Sequence, residues 1–419
     1  MNRRDVLRMA GSVVLVSGSR HLADAQDPAG QQSTIRWDFE GGNLARVDQT
    51  GPDSFRCHLS GQVDQDGRNR QASWYYFRAD HTKGRLLTFK LFDLTGEYNY
   101  QPNNGSVTKQ TPPFYSEDNI HWRTVEELTY DALKHELTFK LRVSSDQIWI
   151  AHVPPYTLEN FKRLANDVVS HADVKIETIG KSVEGRDIPL VTIAESPGAD
   201  KEKKVIWLMF RQHAWESGSS WTGEGLMRFA LSSDPVAQRI RREAILKILP
   251  MCDPDGVVHG GVRFNRYGYD LNRNWDIVDS VKLPEITAER RAILDWVDKG
   301  NRVDFFLSLH NDEQNEYIEG PPDQRYFPLL KRMWDAWSAC ATFAPTEQPK
   351  LMSVTTTEGK PGRMNVAQGL SHDRGLPAFV AEMMIWKHPK LGHVPNIDDR
   401  LRAGGELIQA IWKSVRYTS

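Results

Sequence analysis

Pro154 and Pro155 divide this chain into two stretches whose apolar residues keep different rhythms. Before them, over about 35–153, apolar side chains recur at every second residue. In "HELTFKLRVS", Leu137, Phe139, Leu141 and Val143 alternate with Thr138, Lys140 and Arg142. "SFRCHLSGQV" repeats the pattern with Phe55, Cys57 and Leu59, and "SWYYFRA", "LLTFKLFDL" and "QIWIAHV" are further runs of strand character. Turn clusters such as "DQDGRN" and "QPNNGS" separate them. A period of two puts one set of side chains on one face, so this half predicts an antiparallel β-sandwich. After the prolines the runs "KVIWLMF", "EAILKILPM", "RVDFFLSLH" and "PAFVAEMM" are continuously apolar, as in strands covered on both faces. Helical patterns at 287–299, 326–342 and 400–415 lie between and after them. In the last, Leu401, Leu407, Ile408, Ile411 and Trp412 share one face. Strands alternating with helices predict an α/β domain with a mixed or parallel sheet.

The first residues carry a third pattern. Arg3, Arg4 and Arg8 precede a short apolar stretch at 9–16, and "ADAQ" offers a small-residue cleavage site after Ala25. That is a signal peptide layout, too short for a spanning helix. The paired arginines followed by Val6, Leu7 and Arg8 resemble a twin-arginine export signal, with Val where Phe is usual. The expected organisation is therefore a signal at 1–25, a sandwich at 26–153 and an α/β domain at 156–419. The mature protein is expected in the periplasm or outside the cell. No other stretch is long and apolar enough to cross a membrane.

Composition removes several classes. The 53 basic and 55 acidic residues nearly cancel, which argues against a nucleic-acid partner. Cys57, Cys252 and Cys340 are far apart and odd in number, so they suggest neither a disulfide framework nor a cysteine zinc site. The 13 tryptophans are most simply core or interface residues, Trp74, Trp122 and Trp149 included.

Chemistry is expected at the carboxyl ends of the buried strands, where open α/β sheets collect ligands. "VIWLMF" ends at His213 and Glu216, "RVDFFLSL" at His310, and "PAFVA" at Glu382. Two histidines and a glutamate from separate strand ends suit a three-ligand zinc site with one position open. Glu382 sits in an apolar run, where a carboxylate costs energy unless it is paired or used. It is therefore a candidate general base, the alternative being a structural ion pair. The Gly-, Asn- and Arg-rich stretch "DPDGVVHGGVRFNRYGYDLNRNW" adds Arg263, Arg266 and Arg273 as candidates for oxyanion or carboxylate binding. Arg266 is the one expected to be a plain surface charge.

These motifs occur in the order and rough spacing of the zinc carboxypeptidases, and the chain most resembles the cytosolic carboxypeptidase subfamily and its bacterial relatives. "HAWE", "SLH" and "FVAE" carry the resemblance, together with Gly256, Arg263, Gly268, Asp270, Leu271, Asn272, Arg273 and Trp275. Asp253 stands where Asn is usual. "WYYFRADHTKGRLLTFKLFDL", "PFYSEDNIHWRTV" and "IWIAHVPPYTLENF" look like that subfamily's N-terminal β-sandwich, and "KSVEGRDIPLVTI" like the first hairpin of its peptidase domain. The resemblance implies that His213, Glu216 and His310 bind one zinc ion and that Glu382 is general base and then general acid. It implies that Arg263 polarises the scissile carbonyl and that Asn272 and Arg273 clamp the terminal carboxylate of a peptide or protein. The subfamily's taste for acidic C-terminal residues calls for a basic residue in the side-chain pocket. Arg363 is placed for it, with Arg374 as the second candidate and a solvated loop charge as the alternative for both. The loop at 355–376 lacks the tyrosine that the family places there. Two rival readings stay open: a zinc amidase or deacylase of the same fold acting on peptidoglycan stems or acyl-amino acids, and an inactive binding module.

Overall fold

The computed structural model describes residues 31–103, 106–195 and 202–416. The expected signal at 1–25 lies outside the described residues.

The N-terminal half is two five-stranded sheets face to face. One runs in the order Thr34–Arg36, Tyr76–Asp80, Gln147–Ala151, Phe114–Ser116, Arg123–Thr124. The other runs Leu128–Asp131, Glu136–Arg142, Leu86–Phe92, Ser54–His58, Arg46–Gly51. The alternation places side chains as expected: Leu137, Phe139 and Leu141 are buried between the sheets, with Phe55, Phe77, Phe89 and Ile150. The rings of Phe89 and Phe139 stack at 5.3 Å. One pair departs from an antiparallel sandwich, since Ser54–His58 and Leu86–Phe92 run parallel. Between them the chain crosses to the other sheet as Tyr76–Asp80, and such a crossover returns the next strand in the same direction. A third, four-stranded sheet (Gln62–Val63, Arg70–Gln71, Gly96–Tyr98, Gln101–Asn103) is built from the loops the sandwich leaves over.

The second half is an eight-stranded mixed sheet. Its four central strands, in the order Ala244–Leu249, Lys204–Phe210, Phe305–Asp312 and Ala378–Met384, are parallel. Val205, Trp207 and Met209 face one apolar layer, and Ile206, Leu208 and Phe210 face the other. That explains a run with no polar member: helices cover both faces, and each buried aliphatic side chain contributes roughly 1.5–3 kcal/mol. Chain order then decides where ligands go. After Lys204–Phe210 the chain adds Ala244–Leu249 on one side and Phe305–Asp312 on the other. The crevice opens at the carboxyl ends where those connections diverge.

Candidate metal centre and active-site cleft

Three strand ends converge on one point. Arg211, directly after Lys204–Phe210, takes a left-handed backbone conformation at φ 63°, uncommon for a residue with a side chain. Its buried guanidinium donates to the Ala214 carbonyl (2.8 Å) and the Ser220 hydroxyl (3.1 Å), holding the turn that carries His213 and Glu216. Glu216 then takes the N-cap position of the helix Ser217–Ala230, with its carboxylate turned to the two imidazoles instead of the helix N–H groups. His213 Nδ1 lies 2.6 Å from Glu216 Oε1, and His310 Nδ1 lies 2.9 Å from Glu216 Oε2. Ligand atoms of the three residues all lie within 4.8 Å of one another, and all three side chains are buried. Two imidazole nitrogens and a carboxylate oxygen facing one point suit a borderline divalent cation.

The rear faces of the imidazoles are also engaged. His213 Nε2 is 3.0 Å from Asp270 Oδ1, and His310 Nε2 lies 2.9 Å from Ser308 Oγ and 3.2 Å from Gln212 Oε1. Such partners accept a proton from Nε2 and leave Nδ1 free to ligate. Burial works to raise Glu216, but the two histidines outweigh it and hold its pKa at about 2. Burial and Arg263 work against protonation of His213, and Glu216 and Asp270 prevail, so its pKa is raised. His310 is lowered, burial outweighing Glu216.

Glu382 is the register partner of His310 on the neighbouring parallel strand, so the two side chains leave the sheet on the same side. Its Oε2 is buried with no hydrogen-bond partner among the described residues. Burial, then the charges of Glu216 and Asp312, raise its pKa well above the usual carboxylate range. It forms no ion pair among the described residues, and perturbed carboxyls of this kind gather at functional sites.

A cleft of about 520 Å³ opens over this point, lined by Glu216, Glu382, Arg263, Arg273 and Arg363 among others. Arg263 Nε donates to Asp270 Oδ2 at 2.8 Å. Burial opposes its charge, but Asp270 and Glu216 outweigh burial, so its pKa is raised. Arg363 Nε is buried without a partner among the described residues. Two candidate binding residues are placed outside the cleft lining. Asn272 is not among the residues that line the cleft: it is buried, with Nδ2 3.2 Å from His310 Nε2 and Oδ1 accepting the Val366 N–H. Arg374 lies away from the cleft, paired with Asp298 at 2.9 Å. Arg266 pairs with Glu184 outside it.

Sequence reasoning missed Asp270 as a functional group, although it stands in the quoted "GYDLNRNW". It missed Gln212 and Ser308 as supports of His310. It also missed that the N-terminal sheet contributes Arg68, Asn69 and Tyr98 to the cleft wall. No local pattern marks those three, because what brings them there is the packing of the two halves. Trp215, without an assigned role in the sequence, packs at that junction with Trp74, Tyr76 and Val262 and also lines the cleft.

Comparison with known proteins agrees with this geometry. Residues 35–153 match the family model of the cytosolic carboxypeptidase N-terminal domain, and residues 166–332 match that of the zinc carboxypeptidases. Human cytosolic carboxypeptidase 2 is 28% identical over 330 residues, covering 70% of this chain and 35% of that protein. An uncharacterised Zymomonas mobilis protein is 29% identical over 294 residues, covering 68% of this chain and 70% of its own length. The chain thus spans about a third of the length of the mammalian cytosolic carboxypeptidases 2 and 3 it matches. Among solved structures, a metallo-carboxypeptidase from Burkholderia cenocepacia superposes with a TM-score of 0.76 at 24% identity, over 92% of this chain and 99% of that one. With both halves matched in this order, the chain belongs to the zinc carboxypeptidase family, with a cytosolic-carboxypeptidase N-terminal domain in front of its peptidase domain.

Proposed function

We propose that the protein is an exported zinc metallocarboxypeptidase that removes the last residue of peptides or proteins and prefers an acidic one. The observation that carries this reading is the gathering of one three-ligand centre, one carboxyl unpartnered among the described residues and the arginines Arg263, Arg273 and Arg363 in a single cleft. His213, Glu216 and His310 would hold the zinc ion. Bound there, zinc would polarise a carbonyl and make water a better nucleophile at neutral pH.

The protein groups divide the remaining work. The substrate's terminal carboxylate binds Arg273, whose planar fork suits bidentate contact. That restricts cleavage to the chain end. Arg363 receives an acidic side chain, which would satisfy its unpartnered Nε. Glu382 takes a proton from the attacking water as the C–O bond forms. It returns that proton to the amine nitrogen as the C–N bond breaks. Arg263, fixed by Asp270, faces the oxygen that gains negative charge in the tetrahedral intermediate. The products are a free amino acid and a peptide shorter by one residue.

The test is a set of blocked peptides differing only in the last residue, presented to the zinc-loaded protein. C-terminal Glu and Asp should be released fastest. Glu382→Gln should keep its zinc and lose roughly 10²–10⁴-fold in kcat, the usual worth of a positioned acid–base. Full activity in that variant would remove Glu382 from the mechanism, and an intact set of peptides would remove the peptidase reading. Export rests on Arg3, Arg4 and the small-residue site ending at Ala25. Sequencing the N-terminus of the mature chain from a periplasmic fraction checks it.

A further inference from the structure

The loop that carries Arg263 is held by the other domain. Gln62, in the two-residue strand Gln62–Val63 of the small N-terminal sheet, turns its side-chain amide onto three consecutive residues of the peptidase domain. Its Oε1 accepts the backbone N–H groups of Val262 (2.9 Å), Arg263 (2.7 Å) and Phe264 (2.8 Å). Its Nε2 donates to the Phe264 carbonyl at 2.5 Å. One side chain therefore satisfies four main-chain groups centred on Arg263.

The same loop has little regular structure of its own. Within the peptidase domain it is tied by the isolated Phe264–Asp270 bridge, by the Trp215 N–H donating to the Val262 carbonyl (3.0 Å) and by Asn265, and further ties reach the N-terminal half. Asn43 Nδ2 donates to the Gly260 carbonyl, and Gln65 N–H donates to the Gly268 carbonyl at 3.0 Å. Gly260 and Gly268 have positive φ, and a Cβ at either would meet N-terminal main chain at 2.6 Å. Glycine at these two places lets the halves approach closely, and it also leaves the loop free to move when that contact is lost.

From Gln62 a continuous path leads to the metal ligands. The backbone of 262–264 sets the stem of Arg263. Arg263 Nε binds Asp270 Oδ2, and Asp270 Oδ1 meets His213 Nε2. A guanidinium that must meet charge only as it develops has to be held in place beforehand. Nothing in the peptidase domain replaces Gln62 as acceptor for the three N–H groups among the described residues.

We propose that Gln62 is a positioning residue for Arg263, and that the N-terminal domain is for this reason part of the catalytic unit. The proposal rests on the carboxypeptidase reading for its kinetic consequence but not for its structural one. Losing the brace should lower kcat by about tenfold to a hundredfold, the scale expected when a stabilising group is misplaced by about an ångström. KM should change less than kcat, because the ties of Arg273 run to Asp270 and Asn272 rather than to residues 262–264. Zinc content should hardly move, because Glu216 and His310 meet each other and the turn at Arg211 is held without Gln62.

The experiment compares Gln62→Met, Gln62→Glu and Glu40→Ala in the full chain. Glu40 serves as control because it bridges the halves elsewhere, accepting the Leu158 N–H at 2.6 Å. Hydrogen exchange should rise at the amides of residues 262–264 in Gln62→Met and stay low in Glu40→Ala. kcat should fall in Gln62→Met. It should fall less in Gln62→Glu, whose carboxylate keeps an acceptor for the three donors, and not in Glu40→Ala. In an Arg263→Ala background, Gln62→Met should cost nothing further. Unchanged exchange at 262–264, a loss of kcat equal to that of the control, or additive losses with Arg263→Ala would each overturn the proposal. If exchange rises as expected while wild type cleaves no peptide, the brace stands and the carboxypeptidase reading fails instead.

Discussion

His213 shows how much of a site lies behind its ligands. Its Nδ1 faces Glu216, and its Nε2 is held 3.0 Å from Asp270, which also receives Arg263. One carboxylate thus orients a candidate metal ligand and the Arg263 guanidinium together. Burial works to raise Asp270, but Arg263 and His213 outweigh it and hold its pKa well below the usual range. Asp270→Asn keeps the shape and an acceptor oxygen but removes the charge. It should weaken zinc binding by about 10–100-fold. Competition with a chelating dye measures this, and wild-type affinity in the variant would contradict the role. The ligands themselves were legible in the sequence because each stands at the end of an apolar run. Asp270 was visible only as a letter in a motif, since its partner His213 is 57 residues away.

Among the elements, the helices Ser217–Ala230 and Ile397–Val415 matter most to the site, since the first begins at ligand Glu216. They cross main chain against main chain. A Cβ on Gly404 would sit 2.1 Å from the Thr222 carbonyl oxygen and 2.3 Å from Leu226 N, and one on Gly225 would meet the Leu401 carbonyl oxygen at 2.0 Å. The obstructing atoms are backbone, so neither helix can yield by turning a side chain. Gly404→Ala should destabilise the fold by about 1–3 kcal/mol, as overpacking does. It should also loosen zinc, because the helix it displaces carries Glu216 at its cap. Urea unfolding and metal titration of one preparation test both effects. The apolar stripe of the C-terminal helix could be read from its period. The glycine contact could not, because glycine has no period and its meaning depends on the facing helix.

For the whole molecule, the junction between the halves is a functional surface, and His152 lies in it. Its ring sits 5.5 Å from Tyr75 and 6.0 Å from Trp215, and neither ring nitrogen has a partner among the described residues. Burial lowers its pKa to about 3. The unfolded chain takes up this proton near about pH 6.5. Between that value and about 3 the unfolded state therefore binds more protons. The contribution is complete above the unfolded pKa and falls away as pH drops through that window, by up to about 1.4 kcal/mol per pH unit. His152→Phe should be less sensitive to acid than wild type. Thermal unfolding at about pH 7.5 and about pH 5 measures the difference, and equal acid sensitivity would contradict the assignment.

The sequence by itself determined the two architectures and the three candidate metal ligands that the fold gathers. Period two against continuous apolar runs states which faces are covered, and the polar residue that ends a buried run must lie at the sheet's edge. Only the tertiary structure decided which arginines enter the cleft, that Asn272 lies buried beside His310, and that Gln62, Arg68 and Tyr98 reach the site from the other half. Those placements depend on contacts between segments as much as about 200 residues apart, as from Gln62 to Arg263. Periodicity describes the face a residue is on, and it carries no information about what that face will meet.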